Sequence, residues 1–320
     1  MLELPRADDL RLLRDICHFL HSQECDQSSS HRLSEWLGSY ARELFTREWK
    51  RSRIYHYTSA AQALDLMKKI DNQHFSLTEA GHVLVECRDD TPDHVDVLNS
   101  SERHILMSCI FRSQSTQRYL SFYMPSALPP QSPTAFVRKA RPIKIVRSNR
   151  RAFTLTTASG AIIELTSSEK KSYAWTLFNW LKTLALVDDI YSEHPASFIV
   201  REAECRVFYP VRTTELNVED MKDILLKKAR ASKQRVVYYY IPELLLDVCT
   251  NHCIAKRAFQ EGLVRLYKQE PSRFYLLMMS CLRSDDRCFR HYNYDNFPRV
   301  NGVMRSHLCI RMDVDKEDNL

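Results

Sequence analysis

Short amphipathic helices alternate along this chain with still shorter strand-like runs. Between Ala7 and His21 apolar residues recur at helical spacing, and Leu33 to Leu44 repeats the pattern. Phe75 and Leu77 alternate with polar neighbours instead, as on a half-buried strand. With 320 residues the chain is long enough for two or three cores. We therefore expect a helix-rich α+β protein of several small modules.

The composition excludes several classes of protein. Only five glycines occur, and neither GxGxxG nor GxxxxGK[ST] is present, so a glycine-rich phosphate loop is not expected. No run of 18 apolar residues and no signal peptide is found, which predicts a cytoplasmic protein, or a nuclear one in a eukaryote, without a membrane partner. Ten cysteines in such a chain are expected to be free thiols.

Cysteine and histidine residues gather in two places. The early group is Cys17, His18, His21 and Cys25, and the late group is Cys249, His252, Cys253, Cys281, Cys288 and His291. Neither group has paired knuckles at zinc-finger spacing. Buried or idle thiols explain both groups more simply, so we expect no metal and no cofactor.

Positive charge is concentrated in what we call the acid-free block, residues 103–163. The block contains no Asp or Glu, and its ten cations are Arg103, Arg112, Arg118, Arg138, Lys139, Arg141, Lys144, Arg147, Arg150 and Arg151. The whole chain carries a net charge of only +6. A one-signed block of this length predicts a surface that faces phosphate, whereas a solvated face balanced by acidic neighbours is the alternative.

The stretch SLTEAG at residues 76–81 follows a third predicted helix. That helix is expected to be capped by Thr58 or Ser59, to run to about Ile70, and to turn Met67 and Ile70 inward. Thr78 is expected to cap the next helix, and Gly81 to allow close packing. Three helices, a short strand, SLTEAG and a closing helix resemble the winged-helix superfamily, although residues 46–57 are longer than its usual tight turn.

Two later stretches resemble the same superfamily. WLKTLALVDDIY, residues 180–191, is similar to a recognition helix that runs into a wing, and residues 241–279 repeat the order of helices and strand. The predicted organisation is a winged-helix-like domain at 1–90, a helical connector and Pro-rich linker at 91–133, a basic β segment with a second such domain at 134–215, and a third at 216–320 with an acidic tail. The fold class implied is α+β with tandem winged-helix modules.

Catalytic constellations are weak. Asp93 and Glu102 lack a following Lys, and Asp188, Asp189, Glu202 and Glu204 form only a loose acidic set beside Arg201 and Arg206. A metal-dependent nuclease with an unrecognised active site stays an alternative, but we expect a protein that is not an enzyme.

The resemblance implies a double-stranded DNA partner, because winged helices place their third helix in the major groove. The expected contact residues are Ser59, Gln62 and Lys68 in the first module, Lys256, Arg257, Gln260 and Arg265 in the last, and Arg138, Lys139, Arg141, Lys144, Arg147, Arg150 and Arg151 of the acid-free block.

The expected role is that of an accessory subunit in a bacterial anti-phage or restriction-type system, or of a transcription regulator. Protein partners in a larger complex are expected, and a homodimer is left open. Winged helices also act as pure protein-interaction modules, as in chromosome-organising complexes, so an assembly subunit is the main alternative.

Overall fold

The structure is a computed structural model that describes residues 7–45, 51–87, 98–121, 132–148, 152–156, 160, 162–165, 168–191, 203–278 and 296–312. Contacts divide the chain into two compact units. Unit 1 comprises Met1–Ala140 and Leu165–Leu186, and unit 2 comprises Arg141–Glu164 and Val187–Leu320. Helices and strands contribute to both units, which confirms the α+β class.

The first part of unit 1, residues 10–86, forms what we call the N-terminal module. Its helices are α1 (Leu10–His21), α2 (Ser30–Phe45), α3 (Arg51–Ala63) and α4 (Glu79–Glu86), and a 3-10 helix spans Glu24–Asp26. Its strands are β1 (Gln27–Ser29), β2 (Met67–Lys69) and β3 (His74–Leu77), paired antiparallel in the order β1-β3-β2. The last strand in the sequence therefore lies in the middle of the sheet.

The SLTEAG stretch behaves as its residue types predict. Leu77 is buried, and the Thr78 hydroxyl accepts a hydrogen bond of 3.2 Å from the Gly81 amide at the start of α4. The same hydroxyl donates to the Asp65 carbonyl. A Cβ atom on Gly81 would overlap the Leu66 carbonyl oxygen, so only glycine permits this approach of α4 to the chain before β2. The cap, the buried strand and the close packing are confirmed.

The third helix differs from its prediction at both ends. It begins at Arg51, so Thr58 and Ser59 lie inside the helix and do not cap it. The helix ends before Asp65, which adopts a left-handed conformation with φ of 56°. The chain beyond it extends and pairs with β3, so Lys68 lies on a strand and Ile70 is exposed. The apolar residues near Met67 have helical spacing, but pairing of this segment with β3 makes it a strand.

In the rest of unit 1 the described elements are the helices α5 (Ser100–Arg112), α6 (Gln114–Leu120), α7 (Pro133–Lys139) and α8 (Ser168–Thr183). Asn99 caps α5 through a capping box with Glu102. The buried Trp180 of α8 donates a hydrogen bond of 2.6 Å to the Ala7 carbonyl. This bond fixes the last helix of the unit to its first described residue.

Unit 2 begins with a five-stranded sheet. Its strands are β4 (Ile143–Ser148), β5 (Ala152–Thr156), β6 (Ile162–Leu165), β7 (Val187–Tyr191) and β8 (Ala203–Pro210), in the order β6-β5-β4-β8-β7. The β segment predicted at the start of residues 134–215 is confirmed by β4, β5 and β6. The segment 134–215 is nevertheless divided, because α7 and α8 group with unit 1 whereas the strands group with unit 2.

The C-terminal module, residues 218–311, completes unit 2. Its helices are α9 (Val218–Ala231), α10 (Ile241–His252) and α11 (Lys256–Gln269), and its strands are β9 (Val236–Tyr240), β10 (Phe274–Met278), β11 (Arg299–Val300) and β12 (Val303–Arg311). Strand β12 pairs antiparallel with β9 and β10, and its first residues pair with β11. The order β9-β12-β10 again has the last strand in the middle.

Local sequence explains most of this module. Asn217 caps α9 and Pro242 lies in the first turn of α10, which are positions that these two residue types favour. Phe259, Leu263 and Leu266 are buried, as their spacing in α11 predicts. Strands β11 and β12 were missed, although Asn301-Gly302 is a recognised hairpin signal and both residues adopt positive φ, 51° and 77°.

Candidate nucleic-acid interface

Helices α10 and α11 form a tight pair in the C-terminal module. They are joined by Cys253, Ile254 and Ala255, and Cys253 adopts a left-handed conformation with φ of 56° that ends α10. Ala255 offers no side-chain cap to α11. The Asp188 carboxylate of β7 caps α11 instead, because it accepts a hydrogen bond of 2.8 Å from the Lys256 amide. The first turn of α11 is thereby held by a neighbouring sheet.

The outer side of α11 lines a groove of about 700 Å³. From the helix the groove receives Lys256, Arg257, Gln260, Glu261, Val264 and Arg265, and from the opposite wall Phe297, Pro298 and Arg299. The structure therefore brings together all four residues predicted on this helix. The three residues of the opposite wall were not predicted, since they lie more than 30 residues away in the sequence.

Four of the groove residues carry positive charge and one, Glu261, carries negative charge. Glu261 forms an ion pair of 2.7 Å with Arg257, one helical turn away, and this pair raises the pKa of Arg257 above its ordinary value. Arg265 donates a hydrogen bond of 2.6 Å to the Leu216 carbonyl. The groove keeps a net positive charge of three, which is the sign that attracts phosphate.

The residues predicted on the N-terminal module are arranged differently. Ser59 and Gln62 lie half-buried on α3, and the Gln62 amide donates a hydrogen bond of 3.3 Å to the Thr58 carbonyl. Lys68 is exposed but lies on β2, so its assignment to the recognition helix is wrong. The structure does not bring these three residues together on one helical face.

Unit 1 contains a second charged groove, of about 520 Å³, where α1, α3, α5 and α8 meet. It is lined by Asp8, Asp9, Arg11, Arg53, Tyr57, Leu98, Arg103, Asn179, Lys182 and Thr183. Its carboxylates are paired internally: Asp9 with Arg11 at 2.6 Å and Asp8 with Arg53 at 3.4 Å. Burial and the neighbouring Asp8 carboxylate raise the pKa of Tyr57 above its ordinary value, and its hydroxyl donates to Asp8 at 2.8 Å.

The acid-free block is divided between the units. Arg138 and Lys139 are exposed in the last turn of α7, in unit 1. Arg141 is exposed and Lys144 is half-buried on β4, in unit 2. The backbone of Arg147 also lies on β4, but its side chain is outside the description, and Arg150 and Arg151 lie outside the described residues. Phosphate contact by the block stays a prediction.

The acidic residues considered for a nuclease have structural roles where they are described. Asp188 caps α11, and the buried Asp189 forms an ion pair of 3.1 Å with Arg206. Burial lowers the pKa of Arg206, and the Asp189 carboxylate offsets part of this lowering. Glu102 belongs to the capping box of α5. Asp93, Arg201 and Glu202 lie outside the described residues, as does the side chain of Glu204.

The described cysteines of the two Cys/His groups are mostly buried thiols. Burial raises the pKa of Cys17 and of Cys249 far above the ordinary value, which keeps both protonated and poor as nucleophiles or metal ligands. Cys253 is buried at the end of α10. Cys281, Cys288 and His291 lie outside the described residues, so the late group as a whole stays untested.

No protein-family model, no curated protein and no solved structure matches the chain. Among the described helices, none is long and apolar enough to cross a membrane.

Proposed function

We propose that the chain is a non-catalytic double-stranded DNA-binding protein that uses α11 as its reading helix. The observation that carries this proposal is the groove along α11, in which four cations and Gln260 surround a single acidic residue. Such a surface is suited to a polyanion, and the residues nearest the helix start are those that can also read bases.

The order of elements in the C-terminal module supports this role. A helix, a strand, two helices and three strands follow one another, and the last strand, β12, lies between β9 and β10 in the sheet. The three-residue turn between α10 and α11 is the length typical of helix-turn-helix motifs. In those motifs the second helix of the pair enters the major groove with its first residues on base edges. We infer that α10 and α11 are such a pair.

We assign the cations of the groove to two kinds of DNA contact, base contacts and phosphate contacts. Lys256, Arg257 and Gln260 lie in its first two turns, where Arg or Lys can donate to guanine and Gln can pair with adenine. Arg265 lies later on the helix, and Arg299 lies on the opposite wall of the groove. These two arginines are placed for phosphate contacts, which position a protein without specifying sequence.

The wider role follows the same reasoning. An accessory subunit of a bacterial anti-phage or restriction-type system, or a transcription regulator, needs a DNA-binding module together with surfaces for protein partners. The N-terminal module begins with the same elements, and none of its helices lines a groove like that of α11 in the part of the chain that the structure describes, so we assign it to partner binding. A cytoplasmic location is part of this proposal, and a homodimer is left open.

An assembly subunit that grips proteins is the second candidate, and one observation favours it. The sheet of the C-terminal module exposes five large apolar residues: Val236, Tyr238, Tyr275, Leu277 and Val303. Exposed apolar side chains grouped on one small sheet are typical of protein-interaction surfaces. If this surface dominates, removal of the α11 cations should leave the function of the chain intact.

A charge-matched pair of variants tests the proposal. The test variant replaces Lys256 and Arg257 with Ala, and the control replaces Lys227 and Arg230, two exposed cations of α9 in the same module. We expect the test variant to bind a labelled duplex more weakly and with less preference for one sequence, because each lost base contact costs about 1–3 kcal/mol. The control should retain nearly the whole affinity and sequence preference. Equal losses in both variants would contradict a role for α11.

A further inference from the structure

Three metal-binding side chains meet on one side of the N-terminal module. His21 is the last residue of α1, Asp26 ends the 3-10 helix, and His82 lies on α4. One donor atom from each lies within 4.8 Å of the other two. His21 Nδ1 is 2.9 Å from Asp26 Oδ1, and His82 Nε2 is 3.9 Å from Asp26 Oδ2. This is the one such group among the described residues.

The fold holds these side chains near one another by independent means. Cys25 and Asp26 both adopt left-handed conformations, with φ of 54° and 52°, and this turn brings Asp26 back against the end of α1. His82 follows Gly81, whose missing side chain lets α4 pack against the Leu66 carbonyl. The Thr78 cap fixes the start of the same helix. The three donors therefore come from separate elements that the core of the module already positions.

Other histidine–carboxylate pairs in the described residues lack this property. His74 and Asp71 are 2.9 Å apart but three residues apart in the sequence, and His31 and Glu35 are 3.3 Å apart at a spacing of four. Each of these pairs offers two donors from one local stretch. Their contacts follow from short separation in the sequence, so these pairs supply a control for the group of three.

The chemistry of the donor set indicates a class of metal. Two imidazoles and one carboxylate are ligands that Zn²⁺ accepts, and zinc sites with three protein ligands leave the fourth position open. In a tetrahedral site with bonds of about 2.0–2.1 Å, donor atoms lie roughly 3.4 Å apart. The present separations need only small side-chain movements to reach that value. Such movements are open to His21 and His82, which are 52% and 38% exposed.

We propose that His21, Asp26 and His82 form a binding site for Zn²⁺ or a similar divalent transition metal, with one position left for water. The site is independent of the DNA-binding proposal, which rests on a helix of unit 2. Metal bound there joins the end of α1 to α4 and so stabilises the N-terminal module in its folded form. Neither of the sequence clusters predicted it, because His82 lies about 60 residues beyond His21.

Metal titration of the full chain tests the proposal. The protein is first freed of metal with a chelator and then titrated with Zn²⁺ by calorimetry, with His82→Ala as the test variant and His74→Ala as the matched control. We expect His82→Ala to bind Zn²⁺ at least about 10-fold more weakly. Changes to residues that only surround the ligands already lower metal affinity by about 10–100-fold. His74→Ala should bind like the unaltered chain. Equal affinity of His82→Ala and the unaltered chain would overturn the site.

Thermal unfolding gives a second readout that also detects misfolding. All four tryptophans, Trp36, Trp49, Trp175 and Trp180, belong to unit 1, so their fluorescence reports the unit that contains the site. Zn²⁺ should raise the unfolding midpoint of the unaltered chain, because a ligand that binds only the folded state stabilises it. It should not raise the midpoint of His82→Ala or of Asp26→Asn. A metal-dependent rise that persists in both variants places the metal elsewhere and refutes the assignment.

Discussion

The N-terminal and C-terminal modules begin with the same elements and differ in what their third helix exposes. Each begins with a helix, a strand, two helices and a strand, and the last strand lies in the middle of the sheet; the C-terminal module adds the strand β11, and the N-terminal module ends with the helix α4. On α11 the outer side carries cations that line an open groove. On α3 the described cation, Arg53, lies beside Asp8, and Tyr55 is the most exposed large side chain.

The difference shows that topology and surface chemistry are separate properties of a chain. The core of each module requires apolar residues at helical or strand spacing. This requirement leaves the outward positions of each helix free to vary. In α3, Arg53 and Tyr57 contact Asp8 within unit 1, whereas in α11 the outward side chains line a groove. A search for function by element order alone would treat the two helices as equals.

The largest expected effect concerns the core of the N-terminal module. Leu77→Ala removes a buried side chain from the central strand of its sheet and should lower the free energy of unfolding of unit 1 by about 2–5 kcal/mol. Denaturant titration followed by tryptophan fluorescence measures this. Val83→Ala on the exposed side of α4 is the control and should stay within about 0.5 kcal/mol. Similar values for both variants would mean that Leu77 is not part of a packed core.

A pair of glycines compares the packing of the two modules directly. Gly81→Ala would place a methyl group against the Leu66 backbone, which cannot move aside, and should cost about 1–3 kcal/mol. Gly262→Ala on α11 would meet the flexible end of Met221 and should cost less, since alanine also favours the helix by about 1 kcal/mol over glycine. Hydrogen exchange of the amides in α4 and α11 distinguishes the two outcomes. A larger loss at Gly262 would reverse the comparison.

Helix capping gives a smaller effect. Thr78→Ala removes the oxygen that accepts from the Gly81 amide and should destabilise unit 1 by about 1 kcal/mol. Thr78→Ser retains a hydroxyl at the same position and should recover most of this loss. The measurement is again the tryptophan-detected denaturant midpoint, and a serine variant as weak as the alanine variant would indicate that the cap is not the cause.

The smallest expected effect sharpens the contrast between the two helices. Glu261→Gln removes the one acidic residue of the α11 groove and releases Arg257 from its ion pair. Duplex affinity should rise by about 2- to 5-fold, equivalent to roughly 0.4–1 kcal/mol. Ser59→Ala combined with Gln62→Ala on α3 should change the affinity less than this. Fluorescence anisotropy at fixed salt measures both, and a fall in affinity with Glu261→Gln would contradict phosphate binding in the groove.

Local signals in the sequence predicted local structure well. The Asn217 and Thr78 caps, the Pro242 helix start and the buried spacing of α11 all depend on residues within a few positions of one another. The Asn301-Gly302 turn is also a local signal, because an Asn-Gly pair with two positive φ angles favours the tight turn that joins the hairpin strands β11 and β12.

Features that depend on distant residues could not be predicted in this way. The third helix was predicted to run from Thr58 or Ser59 to about Ile70, but it begins at Arg51 and ends before Asp65, where the following strand pairs with β3. The division of segment 134–215 follows from the pairing of β4 with β8, about 60 residues later. Four side chains on α11 were predicted as contact residues, but Phe297 to Arg299, which line the same groove, were not, because sequence periodicity carries no information about what faces a helix.

The hydrogen bond from Trp180 to the Ala7 carbonyl has a consequence for biosynthesis. The two residues are 173 positions apart, so at about 5–20 residues per second the ribosome adds Trp180 roughly 9–35 s after Ala7. During that interval the nascent chain cannot bury the apolar surface that α8 covers in the finished unit. The N-terminal half of this protein therefore leaves the exit tunnel before α8 can complete unit 1, and we expect the unit to finish folding only after Trp180 has been added.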